Sequence, residues 1–265
     1  MERWREVDGV RVFIVVPAFN EATTIRAIVE RSLAVASDVI VVDDGSVDGT
    51  SAALDGLPIV LLRNPVNVGK GLSLWRAMTY AVAHGAQFVV TLDGDGQHRP
   101  EDVPRLVRAA SALERAVVIG SRMHDRANMP TGRYWGNKAG LFWISWATGQ
   151  PISDAQSGFR VYPRTLIEAL HARALTAHRF AFETEILIRA AQAEYAIVAE
   201  PIDAIYLVGA RKSHYRAVVD TLKIIGVVAR SLVRRGFYLK GLVRSLKGRS
   251  ANGIALPDQA PKDPR

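Results

Sequence analysis

Cysteine is absent, which excludes disulfide bonds and thiolate zinc sites. The six histidines stand at no spacing that would hold a metal. No apolar run reaches the roughly 18 residues that a membrane-crossing helix needs, so no transmembrane span is expected. The opening MERWREVDG is charged and polar and does not read as a secretory leader. Neither a glycine-rich dinucleotide fingerprint nor a Walker loop occurs. A phosphate-bearing ligand would therefore be handled by a metal ion and by arginines. No nucleic-acid motif is recognisable either, so no nucleic-acid partner is expected.

What the sequence does have is apolar bulk and an uneven charge. Hydrophobic residues make up 49% of the 265, enough for a sizeable core and too many for global disorder. The formal net charge is +8. Between Arg211 and Arg249, eleven Lys/Arg stand against one acidic residue, Asp220, a local +10, while the other 23 basic and 25 acidic residues give −2. A near-neutral body with a basic end, where apolar clusters alternate with the charges, points to an anionic membrane surface.

The chain is organised around residues 88–98, FVVTLDGDGQH. Phe88 to Leu92 is an apolar, β-branched run that reads as a buried strand. It turns acidic at Asp93 and Asp95, with Gly94 and Gly96 beside them. Carboxylates at the carboxyl end of a buried strand sit where open α/β sheets bind ligands. Two of them side by side repel unless a cation holds them, and hard oxygen donors suit Mg²⁺ or Mn²⁺ with room left for substrate phosphates. Further buried strands are expected over Val10–Pro17, Val39–Val42, Ile59–Leu62 and Ala116–Gly120. Helical periodicity covers Ala22–Ala36 and Leu72–His84, and Pro100 with Glu101 and Asp102 opens another helix. Asp48 reads as the cap of a short helix after it. The alternation implies a mostly parallel sheet with helices on both faces. Glu21, Asp43, Asp44, Asp93 and Asp95 then fall along one edge of it.

The ordered motifs VVPAFNE, VVDDGSVDGT, NVGKG, LDGDGQH, GSR and DAQSGFR resemble those of family 2 glycosyltransferases of the GT-A fold. The pattern is most similar to the dolichyl- and polyprenyl-phosphate sugar synthases, over roughly residues 10–225. The resemblance implies an α/β GT-A nucleotide-sugar-binding fold and an enzyme that moves a sugar from a GDP- or UDP-sugar to a polyprenyl phosphate. Pro17, Phe19 and Glu21 would line the base and ribose pocket, and Asp43 and Asp44 would contact base or ribose. Turn and capping chemistry is the plainer role for Asp44 and Ser46. Lys70 would approach the nucleotide, or remain a solvated lysine. The family's Asp-x-Asp falls on Asp93-Gly94-Asp95. Asp95 is then the main ligand of Mg²⁺ or Mn²⁺, Asp93 and Gln97 lie beside it, and the ion acts on the leaving diphosphate as a Lewis acid. His98 reads as structural.

By the same resemblance Arg122 and Arg133, with Arg211 as a third, would surround the acceptor phosphate and hold it against the sugar carbon. Asn137 stands where some relatives carry a phosphate-binding serine. Asp154, Gln156 and Ser157 would lie beside the sugar and the acceptor, with Gly158 allowing a tight turn. Glu183 and Glu185 match the family's FETE segment. Either would be a general base if the acceptor were a hydroxyl of a lipid or glycan, which is the alternative reaction. An ionised phosphate needs little such help. Both also suit the start of a helix.

Tyr134–Thr148 gathers three of the five tryptophans. It reads first as a buried helix, with a lipid-contacting aromatic helix as the alternative. Ala217–Val233 and Phe237–Leu246 read as basic amphipathic helices, either lying on an anionic leaflet or packed on the domain with a solvated basic face. The expected organisation is a GT-A domain over 1–210, a membrane-associating helical segment over 211–247 and a disordered tail over 248–265. The location expected is cytoplasmic, peripheral on the inner face of the membrane. The oligomeric state is not legible.

Overall fold

The computed structural model describes residues 7, 9–121, 131–171, 181–203 and 217–247, with backbone alone for 131–139, 171 and 217–220. Strand β1 (Val12–Ala18) shows how the core is built. Its side chains alternate, so Phe13 and Val15 enter one buried cluster while Ile14 and Val16 enter the other. β1 pairs in parallel with β2 (Asp38–Asp43) on one side and β4 (Phe88–Thr91) on the other, placing Val15 between Ile40 and Thr91. β3 (Val60–Arg63) flanks β2. β5 (Ala116–Ser121), β6 (Arg160–Pro163) and β7 (Ala196–Pro201) complete a seven-stranded sheet of order β3-β2-β1-β4-β6-β5-β7.

One strand runs against the rest. β6 lies between β4 and β5 and is antiparallel to both, with Thr91 opposite Arg160 and Val118 opposite Val161. Its amino end is therefore level with the carboxyl end of β4, and the segment 154–159 arrives at the edge that carries Asp93 and Asp95. β6 and β7 escaped the sequence pattern, while the five expected strands are present with ends shifted by one or two residues.

Helices α1 (Ile25–Val35) and α3 (Val103–Ser111) cover one face of the sheet through Ile25, Val29, Leu106 and Val107. On the other face lie α2 (Lys70–Ala83), α4 (Thr131–Thr148), α5 (Arg164–His171) and α6 (Ala181–Gln192). There Leu74, Met78, Ile144, Leu166, Phe182 and Ile186 are buried together. Each such side chain removed from water contributes on the order of 1.5–3 kcal/mol. α7 (Ala217–Arg234) packs on α6 through Val228 and Leu232. A 3₁₀ turn at Gly236–Tyr238 reverses the chain into α8 (Leu239–Leu246), which packs on α4. The turn is held by Trp146, whose indole Nε1 donates to the Phe237 carbonyl at 2.9 Å. Tyr238 lies flat over Gly241, where any β-carbon would collide with the ring.

Two expectations change. α4 is not a buried helix throughout: Ile144 and Ala147 face the core, while Phe142 and Trp143 are 44% and 49% exposed. Eighteen residues make five turns, and α6, α7 and α8 cover only part of them. Asp48 does not cap the short helix after it, a 3₁₀ turn at Ala52–Leu54 whose cap position is Ser51. Its carboxylate instead accepts from Thr50 N at 3.1 Å and from Ala22 N at 3.2 Å, tying two loops together. Among the described residues, no helix is long and apolar enough to cross a membrane.

Candidate active site

Three strand ends converge. The loops after β1 and β2 are joined by Asn20 N donating to Ser46 Oγ and Glu21 N donating to Thr50 Oγ1, each at 2.8 Å. Thr24 Oγ1 donates to the Gly94 carbonyl at 2.9 Å, fastening the β4 loop to the same edge. Pro17, Phe19 and Glu21 remain partly exposed along it.

Asp43 and Asp44 lie at this edge, but their oxygens are engaged within the protein. Asp43 accepts from Ser46 N at 2.8 Å and from the Ser51 hydroxyl. Asp44 accepts from Asn64 Nδ2 and Val68 N, both at 2.9 Å, and from Gly69 N at 2.8 Å. Asp44 thus shapes the NVGKG turn that delivers Lys70 to the start of α2.

Lys70 is not a solvated lysine. Its ammonium lies 2.6 Å from Asp93 Oδ1 and 3.1 Å from Glu183 Oε1. Burial pulls this ammonium toward neutrality, but Asp93 and then Glu183 outweigh it and hold the group well above the ordinary lysine value. It stays charged. Asp93 therefore has one oxygen on Lys70. Asp95 Oδ1 accepts from Gln97 N at 3.0 Å, and Asp93, Asp95 and Gln97 are all partly exposed.

The groups at this edge are the Asp93 and Asp95 carboxylates and the Gln97 amide, with His98 Nδ1 buried 4.0 Å from Asp93 Oδ2. Among the described residues, no three His, Cys, Asp or Glu side chains cluster closely enough to cage a metal. Carboxylate oxygens are donors of the kind that suit a hard divalent ion completed by substrate phosphates. Gly158 makes room for the carboxylate: a β-carbon there would lie 2.5 Å from both Asp93 oxygens. Its φ is not in the left-handed region. The glycine is needed for close approach, not for the tight turn its sequence context implied.

Asp154 closes its own turn, accepting from Gln156 N at 2.9 Å and Ser157 N at 3.1 Å, with Ser157 buried and Gln156 exposed. Sequence reasoning missed Arg160. Its side chain is 0% exposed and its guanidinium donates to the carbonyls of Ser157 (2.8 Å), Ala155 (2.7 Å) and Glu183 (2.8 Å). One cation thus joins the 154–159 turn to the start of α6. An arginine opening a four-residue strand that is otherwise Val-Tyr-Pro was the available signal. Glu183 and Glu185 are buried in the first turns of α6, Glu183 on Lys70 and Glu185 on Arg189 at 3.3 Å. His98 is buried beside Phe159, with its Nδ1 4.0 Å from Asp93 Oδ2. Arg122, Arg211 and the 248–265 tail lie outside the described residues, as do the side chains of Arg133 and Asn137 on α4.

A mostly parallel sheet with oxygen donors gathered at its carboxyl edge is the arrangement of a GT-A glycosyltransferase. The solved glucosyl-3-phosphoglycerate synthase of Mycobacterium tuberculosis, crystallised with Mn²⁺, UDP and its product, shares this fold at a TM-score of 0.61 and 23% identity, over 86% of this chain and 81% of that one. The family model "Glycosyl transferase family 2" matches residues 13–170, and the chain belongs to that family of enzymes. Among its relatives is an undecaprenyl-phosphate mannosyltransferase of Micrococcus luteus, 29% identical over 72% of this chain and 82% of that protein. A UDP-N-acetylglucosamine–dolichyl-phosphate N-acetylglucosaminyltransferase of Methanococcus voltae is also 29% identical, over 74% of this chain and 86% of that protein.

Proposed function

We propose that this glycosyltransferase moves a sugar from a GDP- or UDP-sugar to a polyprenyl phosphate at the inner, cytoplasmic face of a membrane, with inversion at the anomeric carbon. The observation that carries the reading is the Lys70–Asp93–Glu183 bridge. It occupies both Asp93 and Glu183. Glu185 is held by Arg189. Both α6 carboxylates are engaged by cations within the protein, and a phosphate oxygen attacks without a base. The two relatives named above act on undecaprenyl phosphate and on dolichyl phosphate.

The phosphate oxygen forms its bond to the anomeric carbon as the bond from that carbon to the diphosphate breaks, and the electron pair leaves with the nucleoside diphosphate. Asp95, with Asp93 and Gln97 beside it, would hold Mg²⁺ or Mn²⁺, which supplies charge neutralisation to the diphosphate when bound. Pro17, Phe19 and Glu21 line the nucleotide side, and Asp43 and Asp44 act there by shaping the turns. Asp154, Gln156 and Ser157 border the sugar. Arg122, Arg133 and Arg211, with Asn137, are the proposed acceptor-phosphate group.

The membrane part rests on an exposed apolar surface. Phe142 and Trp143 of α4, Ile225 and Val233 of α7, and Phe237, Leu239 and Val243 around α8 are all 44% exposed or more. Lys223, Lys240, Arg244 and Lys247 stand among them, an arrangement suited to an anionic leaflet.

The test is transfer from a panel of nucleotide sugars to polyprenyl phosphate, with divalent metal, with chelator, and with Asp95→Asn. The expected result is metal-dependent labelling of an acidic lipid, lost in the variant. Labelling of a neutral lipid or glycan instead would overturn the acceptor, and full activity in chelator would overturn the metal.

A further inference from the structure

The groove between α6 and α7 lies apart from the Asp93 site, on the side of α6 that carries Glu185 rather than Glu183. We propose that it binds the phosphodiester head group of an anionic phospholipid. The proposal rests on the membrane-surface part of the reading above and not on the transfer reaction.

The two helices present matching faces. Glu185, Ile188, Arg189 and Gln192 of α6 and Val227, Arg230, Ser231 and Arg234 of α7 stand at the same spacing of i, i+3, i+4 and i+7, and together with Arg235 they enclose about 310 Å³. That volume suits a phosphate with a small polar substituent. The charge is lopsided: Arg189, Arg230, Arg234 and Arg235 stand against Glu185 alone, a net +3 in one groove.

Part of this charge is fixed in place. Arg189 is tied to the buried Glu185 at 3.3 Å, and Gln192 Nε2 donates to Ser231 Oγ at 3.4 Å across the helix pair. Arg235 lies over the Tyr238 ring, its guanidinium carbon 3.3 Å from the centroid, and donates to the Ala147 carbonyl at 3.3 Å. Arg234 is exposed at the mouth. Guanidinium groups meet phosphate through paired, charge-assisted hydrogen bonds, and planar forks crowded together are matched by a bound oxyanion.

Exposed apolar residues next to these arginines in the chain point to the phosphate's source. Val233 is 63% exposed, Phe237 59% and Leu239 66%, and they directly bracket Arg234 and Arg235 in the chain. A soluble phosphate compound gains nothing from them. A lipid places its acyl chains against them while its head group enters the groove.

Short-chain dihexanoyl phosphatidylglycerol, kept monomeric below its micelle concentration, is titrated into the full chain by calorimetry. Saturable one-to-one binding is expected. Arg234→Gln should weaken it about tenfold, the scale of a lost charge-assisted bond. An R189Q/R230Q/R234Q variant should abolish it, while R26Q/R108Q/R164Q, which removes equal charge from exposed positions on α1, α3 and α5, should stay within about twofold. Because Arg234 is exposed, its single variant keeps the result readable even if the triple variant fails to fold. Equal loss in both triple variants would reduce the effect to general surface charge and overturn the site. Glycerol 3-phosphate binding as tightly as the lipid would make it a soluble-phosphate site and overturn the lipid assignment, as would the lack of any saturable binding. Flotation with phosphatidylglycerol vesicles checks the membrane reading separately: vesicle binding that persists without monomer binding sinks the groove alone.

Discussion

Lys70 Nζ lies 2.6 Å from Asp93 Oδ1, so the carboxylate that begins the Asp-x-Asp motif is half neutralised by the protein itself. The same ammonium reaches Glu183 on α6. Removing it leaves two carboxylates facing each other with little water. Lys70→Met is expected to cost about 3 kcal/mol or more in urea unfolding. Adding Glu183→Gln to it should recover part of that loss by removing the repulsion, a coupling that a double-mutant cycle measures. Strictly additive effects would disprove the bridge.

Gly158→Ala tests the close approach to Asp93. The new methyl would sit 2.5 Å from both carboxylate oxygens, so the carboxylate must move. Nucleotide-sugar binding in the presence of metal should weaken by about tenfold or more, as a misplacement near 1 Å commonly does. Circular dichroism should stay that of a folded protein. Unchanged binding would detach Asp93 from the donor site.

Arg160 holds three carbonyls that otherwise face the interior. Arg160→Met keeps the length of the side chain but leaves those acceptors unpaired, at about 1–3 kcal/mol each. Chemical denaturation should show a loss of at least about 3 kcal/mol, and a loss under 1 kcal/mol would mean that the carbonyls find other partners.

The Arg31–Glu101 pair links α1 to the turn before α3, with nitrogen–oxygen distances of 2.9 and 2.7 Å. Hydrogen bonding from Arg31 is the main cause that holds the Glu101 carboxyl below its ordinary value. A depressed acid adds stability above its unfolded value near 4.5, and that stability is lost as pH falls through the lower folded value. Both side chains are substantially exposed, so screening keeps the effect small. Arg31→Gln should therefore cost under about 1 kcal/mol at pH 7 and nothing measurable once Glu101 is protonated. A difference that grows toward low pH would contradict the sign.

On the exposed side of α4, Trp143→Ser should weaken flotation with anionic vesicles while leaving the melting temperature within about 2 °C, since the side chain is half exposed. A large drop in melting temperature with unchanged flotation would assign Trp143 to packing instead.

The first half of the fold was legible because its strands are short apolar runs that end in carboxylates, and its helices keep one apolar face. β6 was not, because Arg160 breaks the apolar pattern, and its burial depends on the carbonyls of the preceding turn and of Glu183 on α6. The acidic edge was legible as a place and less so as chemistry. Asp44 is saturated by Asn64, Val68 and Gly69, some twenty residues downstream, and no local pattern announces such partners. The reason for Gly158 is likewise a neighbour far away in sequence. α4 misled because an all-round apolar composition does not say which side the neighbouring helices will cover.

The reversed β6 has one more consequence. Had it run with its neighbours, the 154–159 turn would have emerged at the opposite rim, a full strand length from Asp93. Because it does not, the 154–159 turn opens on the same rim as the described loops after β1, β2 and β4, and the other rim carries connections such as 112–115 between α3 and β5. The exposed Asp55-Gly56 turn ahead of β3 is on that rim too, at the sheet edge away from β7, and it is where a reporter protein or an affinity loop can be spliced into the chain.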